Sequence, residues 1–311
     1  MVSIEVLKPA DLIIWQRQYA PESLALNRRF RAMGVPTIFH CDDNVWEIPP
    51  GNPAKTSYAP GGPEMKRFET LMSECDAVTT STPYLKELCS RFNSRVYILR
   101  NLVEPQIADF AKPGRDNPEE VRIGWTGTPH HFDDIKVIEA SIKELWKLFP
   151  NVKFVFMGFA PADKELLRAN IGRWEYYEFV PCDAFYPCLA NLDFDIGIAP
   201  LEDNRFNKAK TARKAQEYAV LSIPMVLAPL MTYKDWVHGE TCLKPSRNQP
   251  IEWVKDLKWM IEHPKDRAIM AKRAHEQVMR NHDINKWINE RAQVYVDVYN
   301  RVKGIKDGNL R

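Results

Sequence analysis

No stretch of this chain approaches ~18 consecutive apolar residues, so no segment reads as a membrane-spanning helix. The N-terminus lacks a basic region followed by an apolar run, the mark of a secretory signal peptide. The six cysteines (Cys41, Cys75, Cys89, Cys182, Cys188, Cys242) form no CxxC pair and no finger-like Cys/His spacing. They read as scattered buried thiols of a reducing compartment, and the expected location is cytoplasmic. Three catalytic signatures are also missing: the GxSxG elbow, the GxxxxGK[ST] phosphate loop and the GxGxxG dinucleotide fingerprint. Charge of one sign is not in excess either. The formal net charge is +2; residues 1–115 hold 14 basic and 13 acidic side chains, and the remainder 29 and 28. Neither half is a polybasic module with a broad nucleic-acid footprint.

What is present is a chain of 311 residues, enough for about two domains, with 45% hydrophobic and 27% charged residues. Short apolar runs alternate with helical patterns, the signature of α/β folds with parallel sheets. In the first part the runs Ile4–Leu7, Asp11–Trp15, Thr37–His40, Ala77–Thr80 and Val96–Leu99 predict strands. Helical patterns lie at Pro21–Met33, Glu64–Glu74 and Pro83–Arg91, and the proline- and glycine-rich segment 44–63 predicts a long irregular loop. A punctuated stretch, Lys112–Pro118, reads as a connection between domains. Beyond it the predicted strands are Val121–Thr126, Val152–Met157, Tyr176–Val180, Asp195–Ala199 and Pro224–Ala228, with a helix over Ile135–Phe149. Helices over Glu252–Glu262, Lys265–Arg280 and Ile284–Val302 end the chain. In the last of these, Trp287, Tyr295 and Tyr299 follow helical spacing and read as core.

In doubly wound sheets, ligands bind beyond the carboxyl ends of the strands. After the first strand of the second half stands Gly124-Trp-Thr-Gly-Thr-Pro-His-His131, where Gly127 permits close backbone approach and Thr128 and His131 offer polar contacts. Gly158 follows the second strand and Val180-Pro-Cys182 the third. After the fourth, a loop carries Arg205, Lys208 and Lys210 into a helix bearing Arg213, Lys214 and Glu217. Helix N-termini and neighbouring cations suit phosphate, and a carboxylate two turns on could accept from ribose hydroxyls. In the first half the comparable positions are Arg17, His40, Asp42, Asp43, Ser81 and Thr82. His40, Asp42 and Asp43 could position an acceptor hydroxyl or take its proton; equally, the two aspartates could cap a turn over a half-buried histidine. Asp193 and Asp195 look like a metal-binding carboxylate pair but stand at the wrong end of their strand. His130-His131 has no third ligand nearby, so no metal site is expected.

With these residues in place the chain resembles the GT-B glycosyltransferases, the mostly retaining superfamily that uses nucleotide-sugar donors. Asp195-Ile-Gly-Ile-Ala-Pro-Leu201, followed by Lys210-Thr, Lys214 and Glu217-Tyr-Ala-Val-Leu-Ser-Ile-Pro-Met-Val226, is similar to that family's donor-site strand, helix and strand. Ile123–His131 with Asp133-Asp134 resembles its glycine loop, and Ile98-Leu-Arg-Asn-Leu-Val-Glu104 its interdomain segment. Asp11–Arg17 and His40-Cys-Asp-Asp43 resemble a variety with an Asp-Asp motif after a strand, and the Trp287 region resembles the helix that crosses back to the first domain. The resemblance implies two Rossmann-like α/β domains (1–115 and 116–280) around a donor cleft, with residues 281–311 as a returning helix and tail. It implies transfer of a sugar from a nucleotide-diphosphate donor to a hydroxyl acceptor, a glycan or lipid-linked saccharide, without metal or other cofactor. A hydroxymethylated base in DNA, or nucleotide-sugar binding without catalysis, are the alternatives. Carried over, Glu217 would hold the ribose, and Lys210, with Arg205, Lys208 or Lys214, the departing diphosphate. Gly127, Thr128 and His131 would approach the phosphates or sugar, and Val180 would flank the base. Arg17, His40, Asp42 and Asp43 would serve the acceptor. Three departures stand out. Ala209 occupies the position of a second, sugar-reading Glu, the usual cations after the first two strands of the second domain are missing, and the first domain is short.

Overall fold

The computed structural model describes residues 10–114, 117, 119–161 and 164–305. Predicted strand Ile4–Leu7 and part of the Lys112–Pro118 connection lie outside them. The first domain runs β1 (Ile13–Gln16), α1 (Pro21–Ala32), β2 (Thr37–Cys41), α2 (Pro63–Glu74), β3 (Ala77–Thr80), α3 (Pro83–Cys89) and β4 (Val96–Ile98). Its four strands are parallel in the order β1-β2-β3-β4. Pro63 and Pro83 each open a helix from its first turn, where proline's missing N–H would be unsatisfied in any case.

The second domain runs β5 (Val121–Thr126), α4 (Phe132–Leu148), β6 (Val152–Met157), α5 (Lys164–Ala169), β7 (Trp174–Tyr177), α6 (Cys182–Asn191), β8 (Ile196–Ala199), α7 (Arg205–Lys208), α8 (Arg213–Val220) and β9 (Met225–Leu227). Its parallel sheet has the order β7-β6-β5-β8-β9, which reverses direction at β5 and β8. That reversal opens a crevice at the carboxyl ends of these two strands. β5, β6 and β8 are almost wholly apolar and buried, as strands covered by helices on both faces must be. Helices α9 (Pro250–Glu262) and α10 (Pro264–Asn281) complete this domain, and α11 (Ile284–Lys303) ends the described chain.

The last helix returns to the first domain. Val298 is fully buried against Ile38 and Ala77 of the first sheet, and Val103 forms a parallel bridge with Asp283 where the chain crosses. The aromatic residues of α11 depart from the expected core positions: Trp287, Tyr295 and Tyr299 are only half-buried, with Trp287 lying under the Arg100 guanidinium at 4.2 Å. A helix that clamps the edge of a sheet buries one stripe and leaves its flanks in water. Three other differences are local. The chain at Arg205–Lys208 forms a short helix where a loop was expected, because Asn204 caps it through the Asn207 N–H at 2.8 Å. The third strand of the second sheet begins two residues early, at Trp174, and α4 takes in Phe132, Asp133 and Asp134. The cysteines are all free, but Cys182 is exposed and Cys188 half-buried. Truncating Val298 to Ala is expected to lower stability by about 2 kcal/mol, from lost methyl burial plus a cavity, read as an earlier urea midpoint. An unchanged midpoint would show that α11 does not hold the domains together.

Candidate active site

The carboxyl ends of the two sheets face one another across the domain boundary. On the first sheet, Arg17 follows β1 with φ of 48°, a left-handed conformation that costs a non-glycine residue about 1–2 kcal/mol. In this turned position its Nε lies 3.2 Å from Asp42 Oδ1 and its Nη1 donates to Asp43 Oδ2. Both aspartates therefore pair with Arg17, and His40 Nδ1 sits 3.0 Å from the Thr79 hydroxyl. Burial pushes the His40 pKa down, since the charged imidazolium would lose its hydration. Burial raises that of Asp43, opposed by Arg17 and, across the boundary, by Lys210.

On the second sheet the organising group is Asp134, in the first turn of α4. Its side chain is buried and accepts from His131 Nδ1 at 2.7 Å, from the Glu202 N–H at 2.8 Å and from Asn207 Nδ2 at 2.6 Å. Lys210 Nζ stands 3.8 Å away. The next lysine on this face, Lys214, donates to the Thr126 carbonyl at the end of β5 and lies 3.3 Å from the Thr126 hydroxyl. One turn further, Glu217 is paired with Arg213 Nε at 3.3 Å, and Arg213 reaches on to Leu102 O at 3.1 Å and Tyr186 Oη at 2.8 Å. Burial lowers the pKa of both lysines and raises that of Glu217. Close backbone approach is built in beside them. Gly158 has φ of 85°, and a Cβ there would stand 2.6 Å from the Gly127 carbonyl oxygen. Thr128, half-buried, lies 3.3 Å from His130 Nδ1, and Val180 packs on the edge of the domain core.

The structure thus gathers Lys210, Lys214, Glu217, His131 and Gly127 at one set of strand ends, opposite Arg17, His40, Asp42 and Asp43. It does not gather Arg205 or Lys208. Arg205 is 76% exposed and paired with Glu47 at 3.0 Å, and Lys208 is paired with Asp203 at 2.7 Å. Each found a nearer carboxylate on the surface. Sequence reasoning passed over Asn207 and noted Asp134 only within the glycine-loop resemblance, without a role; an aspartate in a first helical turn reads simply as a dipole partner. The only available signal was its place just after the glycine loop. Asp193 and Asp195 lie at the amino end of β8, next to a cavity of 500 Å³ lined also by Lys112, Arg267 and His275. Asp193 pairs with Lys112 at 2.9 Å and Asp195 with Arg267 at 3.4 Å, so these carboxylates hold the structure together there.

No protein-family model and no curated protein matches the sequence. Solved structures do match the fold. Anabaena HepE in complex with UDP and glucose superposes with a TM-score of 0.69 at 14% identity, over 94% of this chain and 80% of that one. A glycosyltransferase from Rickettsia africae gives 0.65 at 13% identity, over 94% and 79%. TarM gives 0.68 at 11% identity over 93% of this chain; the chain spans about half of TarM, 54%. The chain has the two-domain GT-B fold of these proteins.

Burial depresses the His131 pKa to about 4, although its hydrogen bond to Asp134 favours the charged form. An unfolded histidine takes up its proton near 6.5, so between those values the unfolded chain binds the extra proton. Stability is therefore expected to fall as pH drops from 6.5 towards 4. In His131→Asn this part of the slope should flatten in melting curves; an identical slope would remove His131 from the buried site.

Proposed function

We propose that this GT-B chain is a glycosyltransferase that takes a sugar from a UDP-sugar and passes it to a hydroxyl acceptor. The observation that carries the reading is the convergence of Lys210, Lys214 and Glu217 on the carboxyl ends of β5 and β8, with Arg17 and Asp43 facing them. Diphosphate needs concentrated positive charge, and ribose needs a carboxylate that accepts from two hydroxyls. Lys214, anchored on Thr126, is a fixed charge. Lys210, held by a long contact with Asp134 and by the face of the Phe206 ring at 4.8 Å, has ammonium hydrogens left over and would follow the departing diphosphate. Preorganised cations of this kind act most strongly where charge develops on the leaving group.

Glu217 would accept from the ribose, with Arg213 and Tyr186 bracing it, and Val180 would border the base. Gly127 and Thr128 would pass close to the phosphates, and neutral His131 would offer Nε2 as an acceptor, since its Nδ1 is engaged by Asp134. On the first domain, Asp43 is the group in our reading that takes the acceptor hydroxyl's proton, with Arg17 and His40 fixing its position. No cofactor is assigned a part: the lysines supply the charge. The acceptor is a glycan or lipid-linked saccharide in this reading; the near-balanced charge of both halves supports it over duplex DNA. We place the domains at residues 1–115 and 116–280, with 281–311 returning.

The test is calorimetric titration with UDP, GDP, ADP and TDP. UDP is expected to bind most tightly, and Lys210→Ala and Glu217→Gln each to weaken it by about 10- to 100-fold, the weight of one charge-assisted hydrogen bond. Turnover of UDP-sugar should fall with them. Binding of no nucleoside diphosphate by the folded chain, or full affinity in both variants, would sink the assignment.

A further inference from the structure

A second cleft opens on the other side of Lys210, where the chain passes between the domains. It encloses about 440 Å³, within the range of small-molecule sites. Its walls come from the ends of β3 and β4 (Ser81, Arg100, Asn101), from α8 and the residues before it (Gln216, Thr211), and from the segments around Lys234 and His282. It shares Lys210 with the Asp134 cluster but contains none of Thr126, His131, Lys214 or Glu217.

Two buried polar groups line this cleft without a partner among the described residues. Ser81 is 7% exposed and its Oγ is unpaired; Gln216 is 3% exposed and its Oε1 is unpaired, while its amide nitrogen lies 3.1 Å from His282 Nδ1. Buried groups of this kind ordinarily find partners, since leaving one unmatched costs about 1–3 kcal/mol. The charge of the lining is one-sided. Arg100, Lys208, Lys210 and Lys234 face a single carboxylate, Asp235. Lys208 and Lys210 have acidic partners, and Arg100 a distant one in Glu290 at 3.6 Å. For Lys234 no ion pair is found among the described residues. The cleft also reaches the start of α8, whose N-cap residue Ala212 offers its first-turn N–H groups no side-chain acceptor.

We propose that this hinge-side cleft is a second binding site, for a small phosphorylated compound that also carries hydroxyl groups. A phosphate ester offers three strong acceptor oxygens, which suits Lys234, Arg100, the Ser81 hydroxyl and the first turn of α8. The Gln216 carbonyl requires a donor, and a ligand hydroxyl provides it. Ionised phosphate alone has few hydrogens to give, and a neutral sugar would leave the cations unanswered. A bound ligand touches both domains and the segments joining them, so it favours the arrangement in which they are closed.

The experiment is calorimetric titration of the full chain with glucose 6-phosphate, glucose, inorganic phosphate and UDP. Glucose 6-phosphate is expected to bind and glucose not. Lys234→Glu and Ser81→Ala are each expected to weaken the phosphate ester about tenfold and to leave UDP affinity within about twofold. Equal affinity for inorganic phosphate would overturn the assignment to an organic ligand. Failure of glucose 6-phosphate to bind, its affinity unaltered in both folded variants, or its one-for-one displacement by UDP would overturn the site itself. Loss of UDP binding alone bears on the donor site and not on this one, so the two readings fail separately.

Discussion

The buried carboxylate of Asp134 is the constraint on which the rest of this site depends. A carboxylate taken out of water is tolerated only when its oxygens are matched, and here the matching groups come from three separate places in the chain. His131 comes from the glycine loop after β5, the Glu202 N–H and Asn207 amide from the segment that leads from β8 through α7, and Lys210 from the approach to α8. Satisfying one charge therefore fixes the relative position of two strand ends and the helix that follows. The Asp134 pKa is held below the usual carboxylate range against the opposing effect of burial, because His131 and Lys210 favour its charged form. The lysine is positioned by the same group that keeps it charged.

The same segment ties the two domains. Phe206 is buried in the core of the first domain although it belongs to the second, and Ala209 packs beneath Leu85 and Leu88. Thr82 Oγ1 donates to Ala209 O at 3.0 Å, and Asn101 Nδ2 to Thr211 Oγ1 at 2.9 Å. The loop 44–63 closes over the opposite side, where a Cβ on Gly51 would run into the Asp133 carboxylate. Ala209, where relatives of this fold were expected to carry a sugar-reading Glu, thus has a packing role. A glutamate at that fully enclosed position would have to displace α3 or break the contact with Thr82.

Strands were legible where apolar and β-branched residues run between polar or turn residues. β3, β5 and β6 fall on their predicted bounds, although Arg122 and Lys153 interrupt β5 and β6 and β3 ends in two threonines. Lys210, Lys214 and Glu217 were also legible, since their order along a loop and helix places them on one side before any tertiary contact is known. Arg205 and Lys208 look identical to Lys210 in sequence. What separates them is where the nearest acid lies: Arg205 and Lys208 pair with Glu47 and Asp203 at the surface, while Lys210 lies beside the buried Asp134. The roles of Asp134 and Asn207 escaped because each is set by a partner 73 positions away in the chain. The second cleft had no local signature, because Ser81, Gln216 and Lys234 belong to three unrelated stretches.

The two lysines differ in a way that composition cannot express. Lys214 spends its charge on the Thr126 carbonyl and hydroxyl, a neutral pairing that leaves the positive field intact while immobilising the side chain. Lys210 has a formal partner, yet at 3.8 Å that contact is longer than a hydrogen bond. A phosphate arriving between them would be attracted by both but would gain hydrogen bonds chiefly from Lys210. Asp134 would then be left to His131, Asn207 and the Glu202 N–H, which already satisfy it. The carboxylate thus holds Lys210 near the strand ends without competing strongly for its hydrogens, and an entering anion need not break a tight ion pair to reach it.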